Sequence, residues 1–188
     1  MKKMFFLSVL SSLLLGGTAI AQKADKPEPI TYEGMSPRNV QWELAPRLLF
    51  AQDENLAGLS FFDRQYVAVP KDTMEKWVAA AQKKVDQTYV PELHDCDDKA
   101  WELLVFLRRE AVKAHEPKLP YALLAGMAAV TITQPIKELD IDFKGDHALV
   151  LIRVRNGTWW LIEPGNGKGV KLDEVLFEGS MQFNGAWF

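Results

Sequence analysis

One cysteine, three histidines and a run of aspartates carry most of the chemistry open to this 188-residue sequence. Cys96 stands in His94-Asp95-Cys96-Asp97-Asp98, ahead of Ala100, Leu103, Leu104, Leu107 and Ala111, which recur at helical spacing. A thiol at a helix start faces unpaired amide donors and the positive end of the helix dipole, both of which favour the nucleophilic thiolate. Among the bases, His94 is too close in the chain to aim its ring at the sulfur. His115 closes the same helix, about 28 Å away at 1.5 Å per residue. His147, in Gly145-Asp146-His147 at a strand start, is the best-placed partner. Two inert readings stay open at this point: Cys96 as a small buried hydrophobe and His147 as a structural strand-end residue.

Glu163 enters through hairpin geometry. Asn156-Gly157 separates the strand segments 147–154 and 158–162. A three-residue loop Arg155-Asn156-Gly157, with Gly157 left-handed, sets Val154 opposite Thr158 and Leu149 opposite Glu163. His147 and Glu163 then become diagonal neighbours on one face, roughly 7 to 8 Å apart at the backbone. A two-residue turn would send them to opposite faces. The plainer reading of Glu163 is an exposed carboxylate before Pro164.

Asp95, Asp97 and Asp98 create a conflict, since their charges oppose a thiolate that the helix start favours. A hard divalent cation on oxygen ligands, calcium foremost, would reverse the local field. The alternative is that the three serve as N-cap and first-turn residues. The pattern is not an EF-hand. Gln65, Gln87 and Gln134 are equivalent candidates for an oxyanion donor.

Three segments together carry a resemblance: His94-Asp95-Cys96-Asp97-Asp98-Lys99-Ala100, Gly145-Asp146-His147-Ala148-Leu149-Val150 and Trp160-Leu161-Ile162-Glu163-Pro164. They resemble the papain-like cysteine peptidase family of the Marasmius oreades agglutinin C-terminal domain, over about residues 60 to 170. The resemblance implies an α+β, papain-like fold, with helices first and Cys96 at a helix start packed on a C-terminal antiparallel sheet. It implies Cys96 as nucleophile, His147 as general base and then acid, Glu163 as the residue orienting His147, and dependence on calcium. Lys99 departs from the aromatic residue common at its position, and the agglutinin's sugar-binding half has no counterpart.

The positioning elements follow from periodicity. Val40, Leu44 and Leu48 predict a helix that Pro46 should kink or split. A strand is expected around Leu59 to Val69, a helix from Asp72 or Thr73 through Trp77, Val78, Ala81 and Val85, and the Cys96 helix to about Ala114. Strands are expected over 121–132, 147–154 and 158–162. Trp159 and Trp160 point to opposite faces, one into the core and the other toward a groove or the surface. The apolar ending 183–188 reads as a docked strand.

Residues 1–21 have the charged, apolar, small-residue order of a cleavable secretory leader, ending Ala19-Ile20-Ala21. Residues 22–35 read as a flexible lead-in and 36–188 as one domain. The leader holds two lysines and no acid, so its removal takes the net charge from −3 to −5. With no basic cluster and no second apolar run, nucleic acid and a membrane span are excluded as expectations. The chain reads as periplasmic or secreted, acting on a peptide or protein substrate, with a peptidoglycan peptide as one candidate. The competing readings are a papain-like cell-wall amidase or endopeptidase, and an inactive binding or immunity-type module.

Overall fold

The computed structural model describes residues 34–51, 58–84, 95–114 and 121–188, without the side chains of 49–51. The leader, Val85, Gln87, His94 and His115 lie outside the described residues. Gly34–Met35, expected in the lead-in, instead form strand β1. It pairs antiparallel with β3 (Tyr66–Val67), which runs parallel to β4 (Ala122–Leu123) in a small three-stranded sheet.

The main sheet has six strands. These are β2 (Gly58–Ser60), β5 (Ala125–Ile132), β6 (Gly145–Arg153), β7 (Trp159–Ile162), β8 (Gly169–Lys171) and β9 (Met181–Trp187), in the order β2-β9-β5-β6-β7-β8. The class is α+β with a sheet-rich core. The expected order of helices first and an antiparallel sheet after them needs correction. β2 precedes three of the four helices described and pairs parallel to β9, making the sheet mixed. A short helix, Leu172–Phe177, stands between β8 and β9. The single strand expected near 59–69 is two strands in different sheets.

Among the described residues four α-helices cover the sheet: α1 (Pro37–Ala51), α2 (Lys71–Ala81), α3 (Cys96–Ala114) and α4 (Leu172–Phe177). Strand alternation sorts β6 into two faces. Leu149 and Leu151 join Val40, Leu44 and Leu48 of α1 and Val175 of α4 in one core. Ala148, Val150 and Ile152 join Met74 and Val78 of α2 and Leu103, Leu104 and Leu107 of α3 in the other. The sheet is therefore covered on both sides.

Pro46 lies inside α1 and does not split it. The bond it cannot donate would have gone to the carbonyl of Trp42, a residue 70% exposed and open to water. On the same loosened turn, the Arg47 guanidinium donates to the Glu43 carbonyl. Val40, Leu44 and Leu48 are at most 2% exposed, and burying each is worth roughly 1.5–3 kcal/mol. That outweighs the half-exposed Arg47–Asp173 pair to α4, of a kind worth about 0–1 kcal/mol.

β9 docks as expected. Phe188 donates from its amide to the Ser60 carbonyl, and its own carbonyl accepts from the Phe62 amide. Its buried ring stacks on Phe61 with centroids 5.2 Å apart.

Candidate active site

The first turn of α3 explains the position of Cys96. The Lys99 amide donates to the Asp95 carbonyl, which makes Asp95 the N-cap of the helix. Cys96 is the first residue of the helix, half-buried, and packs against the α2/α3 core.

His147 and Glu163 are brought together by the hairpin. Its loop has three residues: the Gly157 amide donates to the Val154 carbonyl and the Val154 amide to the Thr158 carbonyl. Gly157 has φ 84°, in the left-handed region that disfavours other residues. Val150 pairs with Ile162, so Leu149 falls opposite Glu163, the register that the longer loop requires. Reach closes the remaining diagonal gap: His147 Nε2 lies 2.6 Å from Glu163 Oε2. The other carboxylate oxygen, Oε1, accepts from the Gly165 amide at 2.9 Å, fixing the plane of the group.

With Nε2 committed to Glu163, Nδ1 is the nitrogen left for Cys96, whose side chain is near enough to act on the titration of the ring. Burial acts most strongly on this imidazole and pulls its pKa down. The hydrogen bonds to Cys96 and Glu163, and the charges of both, act in the opposite sense and prevail, holding it up to about 9. Both side chains are sheltered, His147 at 8% and Glu163 at 11% exposure. Phe143 stands edge-on to the imidazole, 5.1 Å between centroids. No sequence pattern pointed to that contact, which arises from the extended segment leading into β6.

The acidic residues divide. Ligand atoms of Asp95, Cys96 and Asp97 lie within 4.8 Å of one another, and Asp98 is outside this grouping. The Asp95 and Asp97 side chains are hydrogen-bonded to each other. That bond lowers the pKa of Asp95 and raises that of Asp97. Asp95 Oδ1 is enclosed and has no hydrogen-bond partner. A hard cation would fit here on two carboxylates, at that oxygen and on Asp97.

Other expected residues fall elsewhere. Gln65 and Gln134 are exposed, Gln65 ahead of β3 and Gln134 after β5 with its amide on the Ser180 carbonyl. Trp159 is buried in the core, whereas Trp160 lines a groove of about 390 Å³ between α2 and the β7–β8 ribbon. No helix among the described residues is long and apolar enough to cross a membrane.

No protein-family model and no curated protein matches the sequence. Solved structures do share the fold. One is the PSL1a-E64 complex, 18% identical, with a TM-score of 0.62 over 82% of this chain and 50% of that one. Another is the Polyporus squamosus lectin bound to the human-type influenza-binding epitope Neu5Aca2-6Galb1-4GlcNAc, also 18% identical, with a TM-score of 0.57 over 82% and 49%. The chain thus spans about half the length of each, and at this identity the likeness is one of fold.

Proposed function

We propose that the chain is an exported cysteine peptidase with a papain-like site, in which Cys96 is the nucleophile, His147 the acid and base, and Glu163 the group that orients His147. One observation carries the reading: a sheltered imidazole hydrogen-bonded to a carboxylate, with the cysteine of a helix start near enough to act on its titration. A structural histidine needs one partner, while a nucleophile, base and orienting group in series form the triad relationship.

The proposed chemistry follows from these contacts. The Cys96 sulfur adds to the substrate carbonyl carbon while the proton rests on His147. The Cys96 amide, at the first position of the helix, can donate to the oxygen that gains charge. The imidazolium then gives its proton to the departing amine, the C–N bond breaks and a thioester remains. Neutral His147 next takes a proton from water, the resulting hydroxide adds to the thioester carbonyl, and the C–S bond breaks to release the acid. Glu163 holds the ring through Nε2 and balances its charge in each protonated state. A calcium ion on Asp95 and Asp97 belongs to this proposal. When bound it would offset the negative charge beside the sulfur.

The test is alkylation of Cys96 by iodoacetamide at neutral pH in wild type and His147→Ala, followed by cleavage of fluorogenic peptides. Fast alkylation that collapses in His147→Ala is the expected result. Equal rates in both proteins would reject the reading. Comparing peptides with peptidoglycan-derived stem peptides then separates a general peptidase from a cell-wall enzyme.

A further inference from the structure

The carboxylate that orients His147 is not on a strand. Glu163 follows the last residue of β7 and opens a tight turn, in which its carbonyl accepts from the Gly167 amide at 2.8 Å and its amide donates to the Lys168 carbonyl at 2.8 Å. A carboxylate on such a turn is only as fixed as the turn itself. Two side-chain hydrogen bonds tie it to the rest of the fold, one from within the turn and one from outside. Asn166 Nδ2 donates to the Leu139 carbonyl at 2.9 Å, and Gln82, the C-cap of α2, donates from Nε2 to the Pro164 carbonyl at 3.0 Å.

Gln82 does more than form one hydrogen bond. Gly167 has φ 71°, and a Cβ there would stand 2.8 Å from Gln82 Cγ and 3.1 Å from its Cδ. The Gln82 stem is therefore pressed against the bare backbone of Gly167 while its amide grips Pro164, so it contacts both ends of the four-residue segment that follows Glu163. A carbonyl can only accept, which requires a donor at the tip of residue 82 and a stem long enough to reach past Gly167.

We propose that Gln82 is a positioning residue for the triad, fixing the Glu163 turn, and through it the carboxylate against His147, from the end of α2. Its kinetic consequence rests on the peptidase reading, but its effect on His147 does not. Gln82→Met keeps the stem and removes the donor. Gln82→Lys keeps the stem and restores a donor.

The measurement is the titration of His147 by NMR in the presence of chelator, assigned with His147→Ala, beside kcat and KM for a cleaved peptide. In Gln82→Met the His147 midpoint falls from about 9 toward the ordinary histidine range and kcat drops about tenfold with KM little changed. Gln82→Lys recovers both. An unchanged midpoint in a folded Gln82→Met overturns the proposal, whether or not the chain cleaves peptides. If that variant does not fold, Gln82→Glu, which cannot donate to the Pro164 carbonyl at neutral pH, takes its place under the same criterion. A fallen midpoint in a protein whose Cys96 proves inert upholds the role of Gln82 and rejects the peptidase instead.

Discussion

His147 Nε2 and Glu163 Oε2 are 2.6 Å apart because the loop between their strands has three residues. Side chains alternate along a strand, so a one-residue slip of β7 would carry Glu163 to the other face of the sheet. The pairing of Val150 with Ile162, the left-handed Gly157 and the short acid–imidazole contact are one geometric fact seen at three places.

Glu163→Gln keeps the shape of the side chain and removes its charge. The His147 midpoint falls from about 9, since one of its two stabilising charges is gone. If the peptidase assignment holds, kcat falls by about a hundredfold or more. Titration and steady-state kinetics on the same preparation read both. A kcat unaffected by the substitution would remove Glu163 from the mechanism.

Stability should track the protonation of His147. Its folded pKa, about 9, is raised above the ordinary 6.5, so the folded state binds this proton more tightly than the unfolded chain. The stabilisation is fully present below pH 6.5 and is lost as pH rises through 9. Thermal melting between those limits falls in wild type, and the part of the slope due to His147 disappears in His147→Ala.

The parts of this site legible in the sequence are those set by local chemistry. The Cys96 helix start follows from an aspartate cap and an apolar stripe, and the hairpin from Asn156-Gly157. What escaped depends on partners distant in the chain. β2 pairs with residues 185–187, more than a hundred positions on. α4 has six residues, too few for periodicity to show. Gln82 looks like any polar helix end until Pro164 and Gly167 meet it. Pro46 does not split α1; the bond it cannot donate would have gone to Trp42, a residue exposed to water.

The Glu43–Arg153 pair should matter more than the other bridge from α1. Arg153 donates through Nε and Nη2 to both Glu43 oxygens, at 2.6 and 2.8 Å, and is itself 8% exposed. Glu43→Ala strands a sheltered guanidinium and costs roughly 1–3 kcal/mol. Asp173→Ala, at a more exposed pair, costs about 0–1 kcal/mol. Urea denaturation of the two variants tests the ranking, and equal losses would contradict it.

Gly157→Ala isolates the loop. The new Cβ meets only Arg153 Nη2, at 3.7 Å, an ordinary contact, so the cost is conformational: about 1–2 kcal/mol for a left-handed residue with a side chain. The register is also fixed by the buried alternation of β6 and β7, so the His147 titration stays near its wild-type midpoint while the melting temperature drops. A midpoint that falls with the melting temperature would mean that the loop alone sets the register.

Calcium, if held as proposed, competes with a proton. The raised pKa belongs to Asp97, held up by its bond to Asp95, so affinity rises as pH climbs through the titration of that carboxyl. Calcium at a hundred times its Kd should stabilise the fold by about 2.7 kcal/mol, and chelator should reverse the gain. Asp97→Asn abolishes the effect, while Asp98→Asn, outside the grouping, retains it. Asp95→Asn does not discriminate, because Asp95 also caps α3. Thermal melting with and without calcium in the Asp97 and Asp98 variants decides the matter: an effect surviving in Asp97→Asn would move the ion elsewhere, and no effect in wild type would leave the aspartates as cap and first-turn residues alone.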